Sequence, residues 1–273
     1  MTAGTLTADS GRPVDPVDPD DPLSRQTARA GGGARPWFQL LGLPVVLALS
    51  LVACLVYVQT APLDSIEARL LDPGGLLSAT LRHLQLVGVS TVVVVALAVP
   101  LGILATRPAA RRIVPFVVGL GNVAQGVPSL GVLVLFAVLY GIGFWPVIVA
   151  LVLYAFLPIL RNTIVGLQQV DPFVVESARG MGMSSGAVLR RIELPLAVPV
   201  ILAGVRTAAV INVGTATIAT LTNAGGLGDV IYQGITLNRT SAIVVGSVLA
   251  GVLALLIDYL GGLLEQALRP QGL

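Results

Sequence analysis

Residues that usually carry chemistry are scarce in this chain. One histidine, His83, and one cysteine, Cys54, stand among 273 residues, so neither a disulfide nor a Cys/His metal cluster can form within a single chain. All sixteen basic residues are arginine and there is no lysine. A phosphate cradle of the form G-x-x-x-x-G-K-[ST] needs the lysine ammonium, and Schiff-base catalysis needs the same amine, so both are excluded. Cys54 lies in a hydrophobic run and reads as an inert packing thiol. His83 stands just before another such run and reads as a surface or interfacial side chain. The unusual stretch is ESARGMGMSSGAVLRRIELPLAVP, Glu176 to Pro199, polar and glycine-punctuated between apolar runs. Around it Val174, Val175, Met181, Met183, Val188 and Leu189 would bring apolar and methionine side chains to water, which suits protein docking. A solvated connecting loop is the plainer alternative.

The surroundings of this segment are set by composition. Hydrophobic residues make up 55% and charged residues 11% of the chain, and mean hydropathy is +0.90; soluble domains carry about 25% charged residues. The expected class is an all-α integral membrane protein. A net charge of +2 and a pI near 9.0 reflect arginines beside the apolar runs, a pattern of membrane orientation and not of nucleic-acid binding. Residues 1–36, with GRPVDPVDPDDP, are too poor in apolar side chains to offset ordering and read as a disordered cytoplasmic tail.

Six membrane spans of roughly 20 residues are expected: Trp37 to Val58, Leu84 to Thr106, Ile113 to Tyr140, Phe144 to Leu160, Leu194 to Leu221 and Ala242 to Leu260. The first, 37–58, is an uncleaved anchor, since no small-residue cleavage site follows it. An N-in, C-in orientation keeps Arg25, Arg29, Arg35, Arg107, Arg111, Arg112, Arg161, Arg179, Arg190, Arg191 and Arg269 inside and leaves Arg69, Arg82 and Arg239 outside. The extracytoplasmic loop 59–83 has room for a short helix across LLSATLRHLQL.

Between the fourth and fifth spans, Asp171 followed by Pro172 is a helix start: the carboxylate can accept orphan amide protons, and proline's φ suits the first turn. A short helix is expected from Pro172 to Gly180, broken at Gly180–Gly182. Ser184 or Ser185 would cap a second helix through Leu189 and Arg191, ending where Leu194 and Pro195 lead into the fifth span.

Polar residues inside the spans are the other candidates. QGVPS interrupts the third span at Pro128, so Asn122, Gln125 and Ser129 either line a route or bond between helices. Asn212, Thr215 and Thr222 fall near one face of the fifth span, with the same two readings. Arg206 could face the route, meet an internal partner or snorkel toward the cytoplasmic headgroups. Asp258 and Glu265 are placed at the cytoplasmic interface. AGGLG, Ala224 to Gly228, reads as a tight re-entrant turn and not as a phosphate cradle.

The segment between spans four and five resembles the EAA loop of bacterial ABC importer permeases, whose pattern is E-A-A, three residues, G, nine residues, I-x-L-P. Here Glu176-Ser177-Ala178, Gly182 and Ile192-Glu193-Leu194-Pro195 keep that spacing, with Ser177 as the one departure. NVAQGVPSLGVLVL, LVLYAFLPILRNTIVGL, ILAGVRTAAV, NAGGLGDVIYQGI and DYLGGLLEQAL extend the resemblance over residues 84–268, toward the permeases of glycine betaine, choline and carnitine importers. It implies a five-helix permease core plus an extra first span, with 171–195 as the coupling loop. The implied partners are cytoplasmic ABC ATPase subunits, a second permease subunit in a homo- or heterodimer, an extracytoplasmic substrate-binding protein and membrane lipid, with no nucleic acid. No cofactor is expected on this chain, which is no enzyme; ATP and Mg belong to the ATPase. A methionine or other small-solute permease, and a gradient-driven carrier, are the competing readings.

Overall fold

The computed structural model describes residues 37–110 and 114–269; the proposed tail 1–36 and the loop arginines Arg111 and Arg112 lie outside them. The chain divides into two units, Met1–Val45 and Val46–Leu273. Helix α1, Trp37–Thr60, begins in the first and continues into the second. From Val46 on, helices joined by short turns are the only regular structure among the described residues, with no strand.

Helix α2, Ser65–Leu70, starts at a capping box: Asp64 accepts from the Ile66 and Glu67 amides while Glu67 reaches back to the Asp64 amide. Helix α3, Pro73–Ala105, starts at Asp72, whose carboxylate accepts from the Gly75 amide, with Pro73 in the first turn. The short helix expected across LLSATLRHLQL is therefore the opening of a 33-residue helix, because no breaker separates it from the span.

The expected third span is two short helices, α4 (Val114–Gly126) and α5 (Ser129–Tyr140), separated at Val127 and Pro128. Helix α6 is Phe144–Gln168, α7 is Pro172–Gly180 and α8 is Ser185–Val188. A π turn, Leu189–Glu193, runs without interruption into α9, Leu194–Ala216. A 3₁₀ turn, Ile218–Thr222, then leads to α10, Leu227–Thr236, and α11, Thr240–Ala267. Five helical stretches among the described residues are long and apolar enough to cross a membrane: Leu41–Thr60, Pro73–Ala105, Phe144–Gln168, Ser185–Ala216 and Thr240–Ala267.

Helix α6 is the centre of the packing, with α3 and α9 against it, α11 on α9, and α10 on α11. Close approach comes from small residues, as expected where lipid leaves packing to supply helix association. A Cβ on Gly102 of α3 would lie 2.6 Å from Cβ of Thr163, and one on Gly204 of α9 would lie 2.6 Å from Cβ of Asn162, both on α6. The largest buried cluster joins Leu86, Leu133, Leu151, Val213, Leu227 and Leu253 from six helices. Cys54 is half-buried in a smaller cluster around Leu71 and Val245, a packing role.

Candidate functional site

The EAA-like spacing has a local physical cause. Asp171 caps α7 through the Phe173 amide at 2.8 Å, and Pro172 follows in the first turn. The helix ends in a Schellman motif: the Met183 amide donates to the Ala178 carbonyl at 3.2 Å and the Gly182 amide to that of Arg179 at 2.9 Å. Gly182, at φ +85°, is the left-handed residue that closes this motif. Ala178 is buried on the inner side while Glu176 and Ser177 face outward. The alanine and the glycine four residues later are thus fixed by one helix terminus.

Ser184 caps α8 by accepting from the Ala187 amide. The second short helix does not end at Leu194 and Pro195, as its sequence suggests. At Pro195 an α-helical ladder would lose a donor and meet the ring. The chain instead widens into the π turn, in which the Leu194 amide donates to the Leu189 carbonyl, and carries on as α9. Ile192 and Leu194 are half-buried and Pro195 exposed.

The outward apolar surface differs from the expected one. Val188 is fully buried, while Val175, Met183 and Leu189 are half-covered; Phe173 at 75% exposure and Met181 at 77% dominate, with Val174 beside them. Sequence reading missed Phe173, although it sits two residues after the cap. It also missed Glu193, the charged residue inside IELPL: buried, it pairs with Arg107 just beyond α3 and ties the π turn to that helix.

Among the candidate route residues, Asn122 and Gln125 are exposed on α4, with Ser129 half-buried at the start of α5. Asn122 Oδ1 accepts from Arg161 at 2.6 Å, and Gln125 Nε2 donates to the Tyr154 carbonyl at 3.1 Å. Asn212 is buried in interhelical bonding, donating to Ser90 Oγ at 3.0 Å. The stripe expected from Asn212 through Thr215 to Thr222 is interrupted, because the α-helix stops at Ala216; Thr222 lies in the 3₁₀ turn, bonded to the Ala219 carbonyl.

Arg206 has the internal partner. Its Nε and Nη2 each donate to an Asp258 carboxylate oxygen at 2.5 Å, with Glu265 at 3.9 Å. Gly261 and Gly262 leave the room: a Cβ on Gly261 would lie 3.0 Å from Arg206 Cγ. Asp258 and Glu265 therefore face Arg206 from within α11. Asp258→Ala should lower the unfolding temperature of the purified chain more than Arg206→Leu/Asp258→Ala does, since a guanidinium left with only Glu265, at 3.9 Å, costs more than an apolar replacement. Equal shifts would remove the pair from the stability argument.

His83, expected at a surface, is fully buried, and its Nε2 donates to the Val213 carbonyl at 3.1 Å. It supports the AGGLG turn, where Gly225 (φ +84°) and Gly226 (φ +106°) lie against Arg82 and His83. Arg82 Nε donates to the Ala224 carbonyl at 3.0 Å, and its guanidinium stacks 4.7 Å from the Phe144 ring centre. The tight turn expected at AGGLG is present, and it leads into α10.

The fold thus sets a short helix–turn–helix, α7 and α8, between two helices long and apolar enough to cross a membrane. Residues 98–270 match the family described as binding-protein-dependent transport system inner membrane component. The chain is 40% identical over 200 residues to the choline transport system permease protein OpuBB of Bacillus subtilis, covering 73% of this chain and 91% of that one. It is 39% identical over 232 residues to the osmoprotectant import permease protein OsmY of Salmonella typhimurium, covering 85% and 96%. In structure it is similar to the inward-facing MetNI methionine ABC transporter, at TM-score 0.65 and 24% identity, covering 76% of this chain and 100% of that one. The chain belongs to the binding-protein-dependent transport family. It is a permease subunit of an ABC importer, a multi-pass protein of the cytoplasmic membrane.

Proposed function

We propose that this permease imports glycine betaine or a related quaternary ammonium osmoprotectant. The observation that carries this reading is about 40% identity, across nine-tenths or more of their length, to proteins named as choline and osmoprotectant permeases. Six spans in an N-in, C-in arrangement fit the fold, with α4 and α5 together making the broken third. The chain pairs with itself or a homologous permease, with ATPase subunits binding ATP and Mg on the cytoplasmic side and a substrate-binding protein outside.

Glu176, Ser177, Ala178, Gly182, Ile192, Leu194 and Pro195 form the coupling loop, with Phe173 and Met181 as the apolar surface offered to the ATPase. Asn122, Gln125 and Ser129 contribute to the route. Thr215, Asn212 and Thr222 support it from behind, and Arg206 is held by Asp258. The row on α4 and α5 presents amide and hydroxyl groups beside the Arg161 guanidinium, so a zwitterion meets dipoles and one cation along it without a carboxylate trap. Affinity rests with the binding protein and alternation of access with the permease.

The test is ATP-dependent uptake of labelled glycine betaine by the assembled complex in vesicles, with choline, carnitine, proline and methionine as competitors. Suppression by choline or carnitine is expected. Uptake of methionine alone would keep the importer and replace its cargo.

A further inference from the structure

Pro158 within α6 and Pro128 at the α4–α5 break have backbone consequences that side chains of the opposite element resolve. Pro158 in α6 has no amide proton, so the Tyr154 carbonyl one turn earlier has no helical donor. Gln125 of α4 supplies one, its Nε2 lying 3.1 Å from that oxygen. In return the Tyr154 hydroxyl donates to the carbonyl of Val127, which precedes the α5 N-cap Pro128 and so stands outside the α5 ladder. Seven residues further along α6, on the same face, Arg161 donates to Asn122 at 2.6 Å. Two rungs thus join α6 to the end of α4, and the upper one holds the break itself.

We infer that Tyr154 is a positioning residue for transport: it fixes the α4–α5 break to α6 and passes the motion of the coupling segment to it. Helix α6 ends at Gln168, and α7 begins at Pro172. A displacement of α7 therefore reaches Tyr154 along one helix, about 21 Å at 1.5 Å per residue. An apolar contact would let the break slide along α6. A hydroxyl on one backbone carbonyl and an amide on another give it a single register, because the two prolines leave each of these carbonyls without a donor in its own helix. The pairing is also reciprocal, so loss of either side chain frees a carbonyl on the opposite element. Neither Tyr154 nor Arg161 carries a sequence signal of this role. The inference rests on the reading of the α4–α5 break as part of the route.

The experiment uses the full complex with its ATPase and binding protein. Cys54, the sole cysteine of the chain, is replaced by alanine and Ser129→Cys is introduced as a reporter. Labelling by a membrane-impermeant maleimide is compared in the ATP-free and vanadate-trapped states. With Tyr154 present, labelling should differ between the two states. With Tyr154→Phe, which keeps the ring and removes one hydroxyl, the difference should vanish. Solute moved per ATP hydrolysed should then fall about tenfold, the scale of one hydrogen bond. Gln125→Leu, at a route residue, should also lose the state-dependent labelling; hydrolysis and assembly should be unchanged with Tyr154→Phe. State-dependent labelling and normal coupling with Tyr154→Phe would overturn the role of Tyr154 and leave the route reading standing. A Ser129→Cys reporter that labels in neither state would overturn the route reading, and the role of Tyr154 with it.

Discussion

Gly182→Trp is expected to abolish co-purification of the ATPase while leaving the permease inserted in the membrane. Two effects act together. Gly182 sits at φ +85°, where an L side chain costs about 1–2 kcal/mol. No atom lies within 4 Å of where its Cβ would project, so the indole would stand outward from the turn between α7 and α8. It would stand next to the exposed Met181 and hold a flat partner surface away. Gly182→Ala separates the two contributions, since it carries the backbone strain without the bulk; partial retention of the ATPase is expected from it. Normal recovery of the ATPase with the tryptophan variant would refute docking at this turn.

Gly228→Ala should be the most damaging methyl addition among the described glycines. An added Cβ would overlap the Thr217 carbonyl, with the Thr217 Cα only 3.1 Å away. That neighbour is backbone and cannot rotate aside, so α10 would have to move off the 3₁₀ turn, disturbing the cluster of Leu227, Val213 and Ala219. Overpacking of this kind costs about 3 kcal/mol or more, against a total stability of about 5–15 kcal/mol. Folded protein recovered as a single peak in size-exclusion chromatography is expected to fall at least about tenfold. Gly251→Ala on α11, where nothing lies within 4 Å, is the control and should be neutral or slightly stabilising. Recovery of both variants at wild-type level would contradict the close approach of α10 to Thr217.

Features set by neighbours in the chain were legible in the sequence. Asp171 and Pro172 start α7, Gly182 ends it, and Ser184 starts α8, each through bonds spanning five residues or fewer. Pro128 likewise announced the break between α4 and α5. Features set by neighbours in space were not. No glycine or proline stands between Gly214 and Asn223 to mark the end of α9 at Ala216; the turn there packs against Gly228, eleven residues beyond Thr217. Arg206 and Asp258 are 52 residues apart, and Arg107 and Glu193 are 86 apart. Apolar periodicity identifies which stretches are helical but not which residue of one helix stands opposite which of another. The buried environment of His83 was hidden for the same reason, because Val213 reaches it from a different helix.

The passage of the π turn into α9 has a mechanical consequence. Ser185 to Ala216 is one helical rod of 32 residues, about 48 Å long. It is held close to α6 at Gly204, where the Asn162 side chain leaves no clearance. Gly166 of α6 seats against Ala197 and Val200 of the same rod, so the rod is clamped to α6 over about two turns. A push at its α8 end is therefore carried to Ala216 by α6 and α9 as one stiff pair, and not by a helix that slides past its neighbour.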